Sequence, residues 1–208
     1  KMTRKFISRK ELKQNIQKDT TQRTTISFYK YVKIQDTQAF QETLFSAYTK
    51  LGVLGRIYIA TEGINAQLSV PSKNLKSFRQ FTNSLPETQE VPFKIAIEDD
   101  GKSFYKLTIK IKDKVLADGL LDSSFDTTQV GTHLSAKQFN QAIKDGATVI
   151  DMRNHYETEV GLFENALTID ADTFREVLPQ ALKLVENKKG QKILLYCTGG
   201  IRCEKASA

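Results

Sequence analysis

The chain of 208 residues has two cysteines, Cys197 and Cys203, both in the stretch LLYCTGGIRCEKASA. The apolar run from Ile193 to Leu195 suits a parallel strand covered on both faces. It delivers Cys197 to the strand's carboxyl end, where open α/β sheets bind their ligands. Thr198, Gly199, Gly200 and Ile201 then form a loop whose glycines can turn backbone N–H groups towards the sulfur. Arg202 follows where a helix begins, with its positive dipole end facing the same point. A glycine nest, a helix start and a guanidinium all favour an anion, so the pattern points to a stabilised thiolate, the reactive form of cysteine. A buried structural cysteine is the plain alternative, and strand, cysteine, two glycines, arginine and helix together argue against it.

Two chemistries use such a cradle. Cysteine phosphatases enclose a phosphate in C-x5-R, with the arginine gripping two oxygens. Cys197 to Arg202 is C-x4-R, one residue shorter. A smaller ring suits a single extra sulfur atom better than a phosphate, which points to persulfide chemistry. Cys203 either resolves a disulfide with Cys197 or packs, and its place at the start of a helix favours packing. Zinc held by Cys197, Cys203, His133 and His155 fits no known ligand spacing, so no metal site is expected. His155 can serve as an acid or base, but as a lone histidine it reads as surface.

The elements that position this loop follow from composition and pattern. With 39 % hydrophobic and 26 % charged residues the composition is that of an ordinary folded protein, and the length suits two small cores. No run approaches the roughly 18 apolar residues of a membrane span, and no apolar signal core follows the basic N-terminus. A cytoplasmic protein with no membrane partner is expected, its cysteines too few for a secreted disulfide scaffold.

Charge is uneven. Residues 1–24 hold eight Lys or Arg against two acids, residues 25–128 thirteen against twelve, and residues 129–208 ten against ten. A basic arm of this kind attracts polyanions, nucleic acid foremost, over about 8 to 10 Å. A solvated helix face explains it equally well, since Ser8 to Glu11 is a capping box ahead of Leu12 and Ile16 at helical spacing.

Residues 25–116 read as a β-α-β-β-α-β unit, the ferredoxin-like split motif, with an antiparallel sheet and two helices on one face. Its strands are ISFYKYVKI, VLGRIYIA, AQLSV, FKIAIEDD and KLTIKIKDKV; its helices are TQAFQETLFSAYTKLG and SKNLKSFRQFTNSLP. Phe28, Tyr29, Tyr31 and Tyr58 can present rings to RNA bases. Alternation places Phe28 on one face and Tyr29 and Tyr31 on the other, and a core role is the simpler reading. Residues 117–131, rich in Asp, Ser, Thr and Gly, read as a linker. Residues 132–208 alternate helix and strand as an α/β unit, in which Pro179 marks an early turn or kink and ENALTID a strand or extended segment.

YCTGGIRCEKA resembles the active-site loop of rhodanese-like domains, and VIDMRNHYETEVGLFENAL resembles their upstream signature. SFYKYVKI, GRIYIATEGINAQLSVP and ADTFREVLP are similar to one rhodanese subgroup, the bacterial tRNA uridine hydroxylase family TrhO, once known as YceA. The resemblance covers nearly everything from Ile26 to Ala208. It implies an α+β protein, with an N-terminal ferredoxin-like (acylphosphatase-like) α/β sandwich followed by an α/β rhodanese-like domain incomplete at its C-terminus. It also implies hydroxylation of the wobble uridine of tRNA to 5-hydroxyuridine with molecular oxygen as co-substrate, and Cys197 as the persulfide-bearing catalytic residue. A sulfurtransferase or persulfide carrier with an accessory RNA-binding domain is the alternative.

Within the resemblance, Asp151 and Arg153 match the structural pair of rhodanese domains and read as support, as does Cys203. Arg202 either orients the loop or binds an anion. Glu62 in TEGIN has no assignable chemistry and reads as structuring its turn. No flavin, haem or iron motif is visible, and neither the electron donor, the tRNA set nor the oligomeric state is assigned. A rhodanese-like domain continues beyond the helix that starts at Arg202, so Ala208 is expected to fall inside the domain. On that reading the loop around Cys197 is distorted or disordered and activity is low.

Overall fold

Aromatic and β-branched residues crowd ISFYKYVKI, and a strand built from them must bury one face. In the computed structural model, which describes residues 7–97, 99–120, 126 and 129–208, this strand lies inside the first of two units, residues 1–115 and 116–208.

The first unit runs α1 (Arg9–Lys18), β1 (Arg23–Tyr31), α2 (Thr37–Lys50), β2 (Leu54–Ala60), β3 (Gly63–Pro71), α3 (Leu75–Ser84), β4 (Lys94–Ile95) and β5 (Leu107–Ile111). Sheet order is β4-β1-β3-β2-β5. Phe40, Leu44 and Tyr48 of α2 and Phe78 of α3 share one core with Ile26, Phe28, Ile57, Ala66 and Leu68 of the sheet. The buried Tyr48 hydroxyl meets Thr82 Oγ1 at 2.8 Å, which satisfies both hydroxyls inside the core. Alternation holds along β1. Phe28 is in the core, while Tyr29 and Tyr31 are half-buried on the other face with ring centroids 6.2 Å apart.

Two sequence expectations need correction. The sheet is mixed, because β5 pairs parallel with β2 while the other pairs are antiparallel. The connection from β4 is long enough to carry the chain across to the opposite edge, where β5 adds itself beyond the split motif. FKIAIEDD gives only the two-residue β4. Its apolar alternation has no core to face beyond Phe93: Ile95 is exposed and Ile97 is 88 % exposed. Asp99 Oδ1 then accepts from the Gly101 N–H at 3.0 Å, a turn that ends the extension.

Glu62 structures its surroundings. Its carboxylate accepts from the Val115 N–H at 2.9 Å and its carbonyl from the Val32 N–H at 3.0 Å. The N-terminal arm forms α1, capped by Ser8, whose hydroxyl accepts from the Glu11 N–H at 3.2 Å; Ile16 is buried and Leu12 half-buried.

The second unit runs α4 (Ala136–Lys144), β6 (Thr148–Asp151), α5 (His155–Thr158), α6 (Phe174–Val185), β7 (Ile193–Tyr196) and α7 (Ile201–Ala206). β6 and β7 are parallel, and ENALTID contributes one parallel bridge, Leu167 to Ile150. Reciprocal capping boxes start α4 (Ser135 and Gln138) and α6 (Thr173 and Glu176), and α6 continues through Pro179. Ile150, Met152, Phe174, Val177 and Leu178 form the core on which Cys197 and Cys203 pack.

The stretch read as linker is partly built into this unit. Leu120 packs on its core, and the fully buried Asp118 carboxylate pairs with fully buried Lys205 of α7. At the far end Ser207 Oγ accepts from the Gly131 N–H at 2.9 Å. Residues 121–125, 127 and 128 of that stretch lie outside the described residues. Composition marked a polar loop, and it carries no sign that one carboxylate has a buried lysine waiting. Removing one partner of a buried pair leaves an uncompensated charge, so Lys205→Met is expected to cost about 3–5 kcal/mol in urea unfolding. The double variant Asp118→Leu with Lys205→Met recovers most of that loss; equal losses in both would show the pair is not what matters.

Among the described residues no helix is long and apolar enough to cross a membrane.

Candidate active site

β6 and β7 end side by side with Asp151 opposite Tyr196, and β7 leads directly into Cys197. The loop turns at Gly200, whose φ of 89° is open to glycine and strained for side chains, and this turn aims the Gly200 N–H at Cys197 Sγ, 3.0 Å away. Burial opposes a charge on this sulfur. The Cys203 thiol's hydrogen bond is the largest influence of all and exceeds that of burial; joined by the Cys203 N–H, the Arg202 charge and the Gly200 N–H, it brings Cys197 down to about 5. Cys203 is pushed far up by the same contact and by burial. Of the two thiols, Cys197 is the one driven towards the thiolate and Cys203 the one held protonated.

Arg202 is braced rather than offered. Its Nη1 and Nη2 donate to Glu157 Oε1 and Oε2 at 2.6 and 2.8 Å, and Thr198 Oγ1 donates to Oε2 at 2.5 Å. Burial alone would raise Glu157, but the hydrogen bonds of Arg202 and Thr198 outweigh it and hold the carboxyl at about 2. Glu157 sits on α5, where it also closes a capping box with Asn154. This fork locks both ends of the loop to the turn after β6.

A second network lies beside it. Arg153 donates Nε and Nη2 to Asp151 Oδ1 and Oδ2 at 2.9 and 2.6 Å, and Nη2 also donates to the Gly161 carbonyl at 2.6 Å. The Tyr196 hydroxyl donates to Asp151 Oδ2 at 2.5 Å. Burial pushes Asp151 upward, and these hydrogen bonds hold it below the usual carboxylate range. Arg153 lies over the Tyr196 ring, 5.3 Å from its centroid.

Above Cys197 opens a cleft of about 460 Å³ lined by Arg153, Leu162, Phe163, Tyr196, Cys197 and Thr198. Phe163 and Tyr196 meet edge to face at 4.8 Å, and Leu162 is 51 % exposed. A thiolate beside an aromatic wall suits a flat, electrophilic ring.

The sequence assigned no role to Tyr196, Glu157, Leu162 or Phe163, all of which shape this site. The Asn154-x-x-Glu157 spacing was a visible capping signal, yet nothing in it announced Arg202. His155 lies beside Asp172, Nδ1 to Oδ1 2.9 Å, a close contact without hydrogen-bond alignment. His133 Nε2 meets Glu204 Oε2 at 2.7 Å. Both histidines therefore engage carboxylates rather than Cys197. In the loop expected to be distorted or disordered, residues 197–200 bend so that the Gly200 N–H meets Cys197 Sγ and Thr198 and Arg202 both donate to Glu157.

These units define a class, an acylphosphatase-like domain followed by a rhodanese-like domain. Residues 23–115 match the UPF0176 acylphosphatase like domain and residues 135–208 the Rhodanese-like domain. The two matches fall on the two units in the order that the sequence resemblance implies. It is 54 % identical over 198 residues to the tRNA uridine(34) hydroxylase of Leptospira interrogans, covering 95 % of this chain and 54 % of that protein. It is 50 % identical over 204 residues to the tRNA uridine(34) hydroxylase of Yersinia enterocolitica, covering 97 % of this chain and 58 % of that protein. The chain thus spans about half the length of these curated relatives.

Proposed function

We propose that this chain carries the reactive site of an oxygen-dependent hydroxylation that converts uridine 34 of tRNA to 5-hydroxyuridine in the cytoplasm. The observation that carries the reading is the Cys197 thiolate opening on an aromatic-walled cleft, in a chain half identical to proteins named for that reaction.

Cys197 is the catalytic residue. Its thiolate adds to C6 of the uracil, forming a C6–S bond and moving the C5=C6 electron pair into an enolate rich at C5. C5 bonds molecular oxygen, and a proton completes a 5-hydroperoxide. Two equivalents of a thiol reductant supply two electrons and two protons, leaving the 5-hydroxyl and water and becoming a disulfide. Loss of the C5 proton expels the thiolate and restores the double bond. Thr198, Gly199, Gly200 and Ile201 shape the loop, Arg202 fixes it through Glu157, and Asp151 with Arg153 and Tyr196 forms the wall beside it. Cys197 releases its proton to solvent, and Cys203 keeps its own and donates a hydrogen bond to the thiolate.

Nucleoside mass spectrometry of tRNA from a deletion strain tests this. The expected result is loss of 5-hydroxyuridine, restored by the wild-type sequence and not by Cys197→Ala. Unchanged 5-hydroxyuridine with lost thiosulfate sulfur transfer would establish the persulfide carrier instead, and hydroxylation by Cys197→Ala would remove the thiolate from the mechanism.

A further inference from the structure

A second cleft, in the first unit and outside the thiolate site, has no part in the chemistry above. It lies between α1 and the end of the sheet where β5 begins, has a volume of about 540 Å³, and is lined by Arg9, Lys13, Arg56, Lys102 and Lys106 around Tyr105, with no carboxylate among its lining residues. Arg9 and Lys13 flank the Tyr105 ring, 5.9 and 6.0 Å from its centroid. Arg56 projects from β2 as an exposed residue, level with Thr108 of β5. Lys102 Nζ donates to the Gln17 carbonyl at 3.1 Å and so ties α1 to the loop before β5. Buried Ile16 anchors the same helix.

Five cations converging on one hollow repel one another, and such an arrangement gains most from an anion with several charges. Arg9 and Lys13 are one helical turn apart, about 6 Å along the axis, which is close to the spacing of successive phosphates on an RNA strand. The volume exceeds one phosphate, and Tyr105 holds Arg9 and Lys13 over its ring at the cleft. We propose that this cleft holds the phosphodiester backbone of the tRNA; the identity of the RNA rests on the function proposed above. Its contacts are to phosphates, so they position the RNA without reading its sequence.

Binding of an unmodified tRNA transcript to the chain, followed by fluorescence anisotropy over a salt series, tests the assignment. Lys13→Ala with Arg56→Ala, both at exposed positions, is expected to weaken binding about tenfold at 0.1 M salt and to lower the slope of log Kd against log salt by about two. Lys137→Ala with Lys144→Ala, exposed lysines of α4, leaves both unchanged. Wild-type affinity in the cleft variant would overturn the proposal, and so would an equal loss in the α4 variant or displacement of tRNA by millimolar inorganic phosphate. A thermal melt matching wild type shows that the cleft variant is folded. The two proposals fail separately. Cleft-dependent tRNA binding with 5-hydroxyuridine independent of the chain removes the hydroxylation and leaves the cleft; chain-dependent 5-hydroxyuridine with cleft-independent binding does the reverse.

Discussion

Iodoacetamide is expected to alkylate Cys197 with a rate that rises through a midpoint of about pH 5 and then levels off. An unperturbed thiol would show its midpoint near about 8.5. The absolute rate is a poor reporter. At pH 6.5 an ordinary thiol is about 1 % ionised while Cys197 is almost fully ionised, a gain of roughly a hundredfold. The lower basicity of such a thiolate reduces its nucleophilicity by a factor of about 30 to 50, which removes most of that gain. The midpoint is therefore the quantity to measure, by peptide mass spectrometry after short pulses.

Cys203 stays unlabelled in the folded chain, since its thiol is held protonated against the Cys197 sulfur. Cys203→Ala removes the strongest single influence on Cys197 and moves the midpoint up. A wild-type midpoint at pH 8 would sink the thiolate site. The linkage to stability has a definite sign. The folded pKa of Cys197 lies below that of the unfolded thiol, so its contribution is complete above about pH 9 and is lost as the pH falls to about 5.

Much of this site was legible because it is local. ILLY, Cys197 and the paired glycines specify a strand, its end and a turn within eight residues. The parallel pairing of β6 with β7 follows from two apolar runs separated by a helix. What escaped is what the fold assembles over distance. Glu157 and Arg202 are 45 positions apart, as are Asp151 and Tyr196, and neither pair has a sequence signature. Tyr196 ends the strand after the apolar run and had no assigned role, although its hydroxyl reaches Asp151 and its ring walls the cleft. Arg202, placed by the glycine loop to look like an anion clamp, finds its anion within the protein. Edges were misread for a related reason: alternation in FKIAIEDD promised a strand, but a strand also needs a neighbour to pair with, and β4 pairs with β1 for two residues, both exposed. Asp118 shows the converse, a core contact hidden in a polar run.

Arg202→Met and Glu157→Gln should separate the two roles of that fork. Each variant leaves the other member half-buried without its charge partner, since their side chains are 12 % and 21 % exposed. A loss of about 2–3 kcal/mol is expected for either in urea unfolding at pH 7. Their effects on Cys197 differ in sign. Arg202→Met removes a cation beside the sulfur and raises the alkylation midpoint by about one unit or more. Glu157→Gln removes the anion that shares Arg202, so the midpoint stays at or below about 5.

Acid resolves the stability effect further. The Glu157 pKa is lowered on folding from about 4.5 to about 2, so its contribution is present above pH 4.5 and is lost as the pH falls towards 2. Wild type and Glu157→Gln should therefore converge in stability at pH 2 to 3 while differing at pH 7. A difference that persists unchanged at pH 2 would mean that the carboxylate acts through shape and not charge. An equal rise in the Cys197 midpoint in both variants would mean that loop position, rather than the Arg202 charge, sets the thiolate.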